Sequence, residues 1–378
     1  MTNKQISQFL NNAVTPNMLG DAATPVSENL DNYIDFGTKL SELDAETLKD
    51  FKKRLAVQIS NFVITRVLEK KYFKMYKDSV AYQGALQRLV ASGLLKTQDS
   101  HIVNLVNGTS YVDGKFYGVD LSSVLYTEVD SFKVAYSISD DDWRLFFTSV
   151  EDMRRVIGII YNAEQNTITA YLNALQKRLY MAMIENCHTA NREVKLLTAF
   201  NDKTGATYTI DQIYADRKLY AYFADFVKSV IEKLKIYIAD VNKRYNDGTV
   251  TTFTPIEDVQ LVMISDFYSD IKNLGNPVDF SIPTFNTDEI SSWQTTTNAI
   301  LPTFHDVSSI KLTDGAEETM IENVVGIIYD TYAVGITTFL DKVTAEYVGA
   351  EGFTNYFHHL ANRYFYDSRF GNIILTLA

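Results

Sequence analysis

The sequence predicts an α+β chain laid along one very long helix. From Thr148 to Cys187 apolar residues recur at spacings of mostly three and four, with one glycine, Gly158, and no proline. Between Lys96 and Asp140 the period falls to two, around two glycine turns. From Thr337 onward the chain reads as strands dense in tyrosine and phenylalanine.

In the long helix Thr148 and Glu151 have the spacing of a capping box, and Asp152 adds a second acid to the first turn. Val150, Met153, Ile157, Ile160, Ile168, Leu172, Leu175, Leu179 and Met183 form one apolar stripe. At about 1.5 Å per residue this helix is a rod of roughly 60 Å, longer than a compact domain is wide. It acts as a spine with smaller elements along it, or crosses a subunit contact.

Residues 1 to 43 are polar, rich in asparagine and weakly periodic. Alone they bury too little surface to fold, so the expectation is an arm held down by a neighbouring subunit. Asp44 caps a helix to about Lys77, with Leu48, Phe51, Leu55, Ile59, Phe62 and Val67 on one face. Asn107-Gly108 and Asp113-Gly114 are two type I′ turn signals. Phe132, Val134, Tyr136 and Ile138 alternate with polar or small residues as a half-buried strand. Residues 96 to 140 read either as a β-arm projecting from the body or as a meander within one sheet. After the spine, Thr204-Gly205 and Tyr208-Thr209 suggest a short hairpin. A second long helix covers about Leu219 to Tyr245 and stops at Asp247-Gly248. Val259 to Ile264 is a buried strand, Asp266 caps a short helix ending near Gly275, and Val324 to Tyr329 is another apolar strand. Ile373 to Leu377 closes the chain as a strand.

Apolar residues make up 46% of the 378 residues and charged residues 22%, enough for a real core. No apolar run approaches the ~20 residues of a membrane span. Met1 to Leu10 lacks a signal-peptide layout, and the lone Cys187 excludes an intrachain disulfide framework and fits a reducing cytoplasm. A net charge of -12 argues against a protein that grips nucleic acid through clustered Lys and Arg. The 24 tyrosines and 22 phenylalanines suit extended protein contacts or a β-rich core equally well.

No catalytic arrangement stands out. His358 and His359 are neighbours on a strand and point to opposite faces, so they do not share a metal. Asp140-Asp141-Asp142 lacks the alternating spacing that converges carboxylates on a cation. Cys187 has His188 beside it but no orienting partner. There is no phosphate-binding glycine loop, no nucleophile elbow, no zinc-binding His pair and no paired-cysteine motif. Catalytic, metal and cofactor-binding residues are therefore expected to be none. Glu151, Asp152, Arg154 and Arg155 form a mixed charge cluster, read as an ion-pair contact between packed subunits.

In order the parts are an N-terminal arm, a helix, a β-arm with glycine turns, a spine helix, a mixed lobe and a returning β tail. This order resembles the major capsid proteins of tailed bacteriophages, whose shell fold is shared with herpesviruses. The sharper likeness lies in Val259 to Ser265 with its short helix, Ser281 to Asn286, Val325 to Gly335, and Thr354 to His359 running on to Leu377. The resemblance implies an N-arm and leading helix over 1–80 and an extended β-loop over 96–140 lying on a neighbour. It implies a peripheral domain over 141–204 with the spine helix, an axial domain over 205–336, and a β tail over 337–378 returning to the peripheral domain. It further implies hexamers and pentamers of an icosahedral head around double-stranded DNA, assembled in the host cytoplasm. Portal, scaffolding and decoration proteins would be partners, with no cofactor and no membrane. Asn107, Gly108, Asp113 and Gly114, with the charge cluster at the spine's start, would be assembly contacts. An encapsulin-like compartment shell shares this fold and is the alternative. A carboxylate-based hydrolase is a third reading.

Overall fold

The computed structural model describes residues 2–15, 18, 25–69, 86–95, 118–127, 129–139, 141–142, 149–274, 310–314, 317–349 and 351–377. The described helices are α1 (Asn3–Ala13), α2 (Tyr33–Ser41), α3 (Ala45–Glu69), α4 (Val150–Thr189), α5 (Leu196–Thr204), α6 (Ile210–Ala215), α7 (Arg217–Ala239) and α8 (Ser265–Leu274). The described strands are β1 (Leu86–Ala91), β2 (Leu121–Tyr126), β3 (Val129–Ser139), β4 (Glu193–Lys195), β5 (Val259–Met263), β6 (Ile310–Asp314), β7 (Glu317–Ile321), β8 (Val324–Asp330), β9 (Val334–Val348), β10 (Phe353–Tyr366) and β11 (Asn372–Thr376). They fall into two compact units.

The first unit is Met1–Lys71, Val129–Gln176 and Thr337–Arg363. Its sheet has the strand order β3-β10-β9. Strand β10 pairs antiparallel with β3, setting His358 opposite Val134 and Leu360 opposite Phe132. Val134, Ile138, Tyr356 and Leu360 join Met153, Ile157 and Ile168 of α4 in one core. Phe51, Leu55 and Ile59 of α3 complete it, as the helical spacing predicts.

The N-terminal segment corrects the expectation of an arm held only by a neighbour. It folds onto its own unit: Ile6, Leu10, Tyr33, Phe36 and Leu40 are buried in the same core as Phe51 and Ile157. A complete Thr2–Gln5 capping box starts α1. The polar residues that made the segment look unfoldable satisfy its backbone. Asn11 both donates to the Val26 carbonyl at 3.0 Å and accepts from the Val26 amide at 2.8 Å. Ser7 donates to the same carbonyl at 2.7 Å.

The α3 cap is Asp44, which accepts from the amides of Glu46 and Thr47. Helix α4 has the expected 40 residues, shifted two positions from the predicted bounds. Thr148 lies outside the described residues, and the cap is Ser149, whose hydroxyl accepts from the Asp152 amide at 3.0 Å. Ser149 and Asp152 form a capping pair, the Ser149 hydroxyl also donating to Asp152 Oδ2 at 2.8 Å.

The second unit is Tyr72–Glu128, Lys177–Ile336 and Tyr364–Ala378. Its central sheet has the order β4-β11-β8-β5, with β11 parallel to β4 and antiparallel to β8, and β8 antiparallel to β5. Strands β5, β8 and β11 are buried at every residue. That is why their sequences run apolar instead of alternating. Gly326 is required where β8 meets β5: a Cβ there would stand 2.9 Å from the Val262 carbonyl oxygen. Leu179, Met183 and Cys187 of α4 pack in this core with Phe223, Val227 and Ile231 of α7.

Four further expectations change. Thr204-Gly205 and Tyr208-Thr209 make no hairpin. Gly205, at φ 69°, is the left-handed cap of α5, and Thr209 opens α6 with a Thr209–Gln212 capping box. Asn201 spans the join, donating to the Tyr208 carbonyl and accepting from its amide, both at 3.0 Å. Helix α7 ends at Ala239, before the predicted Tyr245, because Asp240 is extended and the next residues form an Asn242–Thr252 bridge. Residues 96 to 140 do not form one element. Strand β2 pairs with β1 in the second unit, whereas β3 is an edge strand of the first unit's sheet. The tail divides likewise: Thr337 to Val348 of β9 and Phe353 to Arg363 of β10 belong to the first unit, and Tyr364 to Tyr366 with β11 to the second. The side chain of Asp266 lies outside the described residues, although α8 stands where it was expected.

Candidate functional site

The two units each contain one buried charge cluster. In the first, α4 contributes Glu164 and the sheet contributes His358 and Asp341. Every other apolar position of the α4 stripe follows the helical period, but there is a gap between Ile160 and Ile168. Glu164 fills it, and its side chain is fully buried. His358 lies opposite on β10, also fully buried, with Nδ1 hydrogen-bonded to Glu164 Oε1. Its Nε2 faces Asp341 Oδ1 of β9 at 2.7 Å. Burial alone would depress the imidazole's pKa. Hydrogen bonds to Asp341 and Glu164 and the charges of both overcome it and raise the value to about 9. The ring is then an imidazolium that donates from both nitrogens. The two carboxylates stand on opposite edges of the ring and do not converge on a cation. Among the described residues no group of His, Cys, Asp and Glu could hold a metal ion.

In the second unit, Asp367 lies between two arginines. Arg369 donates from Nε to Oδ1 at 2.8 Å and from Nη2 to Oδ2 at 2.7 Å, a bidentate pair. Arg88 donates from Nη1 to Oδ2 at 3.0 Å and to the Tyr332 carbonyl at 2.7 Å. Its guanidinium lies over the rings of Phe365 and Phe370, 4.4 and 4.9 Å from their centroids. All three charged side chains are buried. Nearby Asp330 is pushed by burial to a pKa of about 6, against hydrogen bonds from Thr254 and from the Tyr332 amide.

Asn107, Gly108, Asp113 and Gly114 lie outside the described residues. Glu151, Arg154 and Arg155 are exposed on the first turns of α4. Arg155 pairs with Asp152 at 3.2 Å, and Arg154 donates to the Asn3 side chain at 2.5 Å. The cluster is thus partly occupied by contacts within the subunit. Cys187 is fully buried beside Asn372, and burial pushes its thiol up to about 12. His188 faces Glu193 at 3.2 Å and does not serve the thiol. A thiol held protonated in an apolar core is a poor nucleophile. Neither buried charge cluster emerged from motif reading. Glu164 had a signal, the break in the α4 stripe. Arg88 and Asp367 had none, because 279 positions separate them.

In both clusters the charged side chains pair with one another and join separate elements. The Phi29-like phage major capsid protein model matches residues 12–376. The chain belongs to that family. It is a structural subunit of a bacteriophage capsid, and its place is the virion. Among solved structures, the capsid of Staphylococcus phage Andhra is 13% identical, covering 81% of this chain and 83% of its own, at a TM-score of 0.47. The capsid of cyanophage P-SCSP1u is 12% identical, covering 81% of this chain and 86% of its own, at 0.42. A chain of the satellite phage P4 procapsid, a structure that includes a size-determination protein, is 10% identical, covering 84% and 99%, at 0.39. No curated protein sequence matches this chain. The family match favours the phage capsid over an encapsulin-like compartment or a hydrolase. Among the described residues no helix is long and apolar enough to cross a membrane.

Proposed function

We propose that this subunit assembles into hexamers and pentamers of an icosahedral head that encloses double-stranded DNA. The family match over residues 12–376 carries the reading. In it the second unit, built on the β4-β11-β8-β5 sheet, is the axial domain that meets its copies around each capsomer. The first unit, with the N-terminal part of α4 and the β3-β10-β9 sheet, is the peripheral domain. The segment between β1 and β2 is the extended loop, and Asn107, Gly108, Asp113 and Gly114 are its contacts with a neighbour. Exposed Glu151, Arg154 and Arg155 contribute further ion pairs, with Asp152 beside them. Portal, scaffolding and decoration proteins are the partners during and after assembly in the host cytoplasm.

The net charge of -12 fits a wall that does not trap packaged DNA. A basic wall would hold phosphate by counterion release and slow packaging and ejection. Deleting Val106 to Val119 tests the assembly role. The variant should remain a folded subunit, with the helical circular dichroism of the parent, and form no shells. Normal shells from this variant would overturn the extended-loop assignment.

A further inference from the structure

Strands β1 and β2 form a ribbon that belongs to the second unit but takes no part in its hydrophobic core. The outward side of the ribbon carries Leu89, Leu121 and Leu125, all exposed. Leu86 is buried, yet stands outside that core cluster. The ion cluster fastens the inward side, beside the buried Leu86, and the Thr251 amide donates to the Ser92 carbonyl at 3.1 Å just past β1. Arg88, on β1, binds Asp367 with its own guanidinium. Strand β2 is tied to the same carboxylate through Arg369, which donates to the Ser122 carbonyl at 2.9 Å and to its hydroxyl at 3.1 Å. Tyr126 of β2 lies against Phe365, with centroids 5.3 Å apart. Both strands therefore converge on the turn that follows β10, and Asp367 is the shared node.

Such an attachment differs physically from an apolar interface. Removing a few methyl groups loosens an apolar contact by degrees. Removing the anion from a buried arginine–carboxylate–arginine cluster leaves two desolvated cations facing one another. The contact is then lost together. The four-stranded sheet has an apolar core of its own: β5, β8 and β11 are buried among Val259, Ile327, Ile328 and Ile374 and their neighbours.

We infer that the Arg88–Asp367–Arg369 cluster is a latch: it holds the β1–β2 ribbon in place, and opening it frees the ribbon as one piece while the four-stranded sheet stays folded.

Peptide-resolved hydrogen exchange on the full chain, as isolated subunits, tests the latch. Two variants are compared with the parent: Asp367→Asn, which removes the shared charge, and Arg88→Met, which keeps an apolar stem over Phe365 and Phe370. Peptides from 86–91 and 121–126 should exchange at least about tenfold faster in both variants, with 259–263, 324–330 and 372–376 unchanged. If ribbon and sheet lose protection together, the ribbon is part of one cooperative unit and the latch is refuted. Unchanged ribbon protection in Arg88→Met refutes it as well. That second variant decides the matter if Asp367→Asn does not fold.

Discussion

Replacing Glu164 and His358 together by glutamine removes the two fully buried charges of the first unit's cluster while keeping side chains that can hydrogen-bond. In the parent, the His358 pKa rises from 6.5 to about 9 because the two carboxylates outweigh burial. At roughly 1.4 kcal/mol per unit, this shift amounts to about 3 kcal/mol of stability. The sign follows from which state holds the proton. The folded chain binds it more tightly than the unfolded chain, so the contribution is complete below pH 6.5. It is lost as pH rises through about 9. Urea unfolding of isolated subunits at a series of pH values from 6 to 10, followed by tyrosine and tryptophan fluorescence, gives stability for parent and double variant. The difference, parent minus Glu164→Gln/His358→Gln, cancels groups that titrate in both. It should fall by about 3 kcal/mol across that range. A difference that stays constant with pH would show that His358 is not held as a cation, and would remove the physical basis for Glu164 occupying a core position of α4.

Leu175 is buried on α4, so Leu175→Ala should cost about 2 to 5 kcal/mol in the same unfolding assay, and a loss below 1 kcal/mol would contradict its core placement. Leu172→Pro should cost at least ~3 kcal/mol and lower helical circular dichroism; unchanged ellipticity would rule out a continuous α4. Gly326→Ala should destabilise by about 1 to 3 kcal/mol, because the new methyl meets the Val262 carbonyl, and a neutral result would mean that β8 and β5 are not so closely apposed. Amides of residues 6 to 13 should already resist hydrogen exchange in free subunits. Protection acquired only on shell formation would restore the idea of an arm ordered by its neighbours.

What could be read from the sequence was whatever rested on period. Helix α4, the fully buried β5 and β8, and the alternating β3 each bury side chains at the spacing their backbone dictates. Errors arose where one residue type serves two purposes. Gly205 and Thr209 read as turn residues but act as helix caps. Asn11 and Ser7 read as marks of an unfolded arm, yet their side chains close backbone hydrogen bonds at Val26. The tail was expected to stay in one domain, but local period cannot show that β11 inserts between β4 and β8. The charge clusters were the least legible. Glu164 left a hole in a stripe, whereas Arg88, Asp367 and Arg369 meet only through the fold.

The central claim is that this chain builds a phage shell, and electron microscopy of the purified protein tests it most directly. Closed particles of uniform diameter with hexameric and pentameric capsomers are the result the account predicts. A protein that remains monomeric, or forms only irregular aggregates, whether purified alone or expressed with the other head genes of its phage, would contradict it.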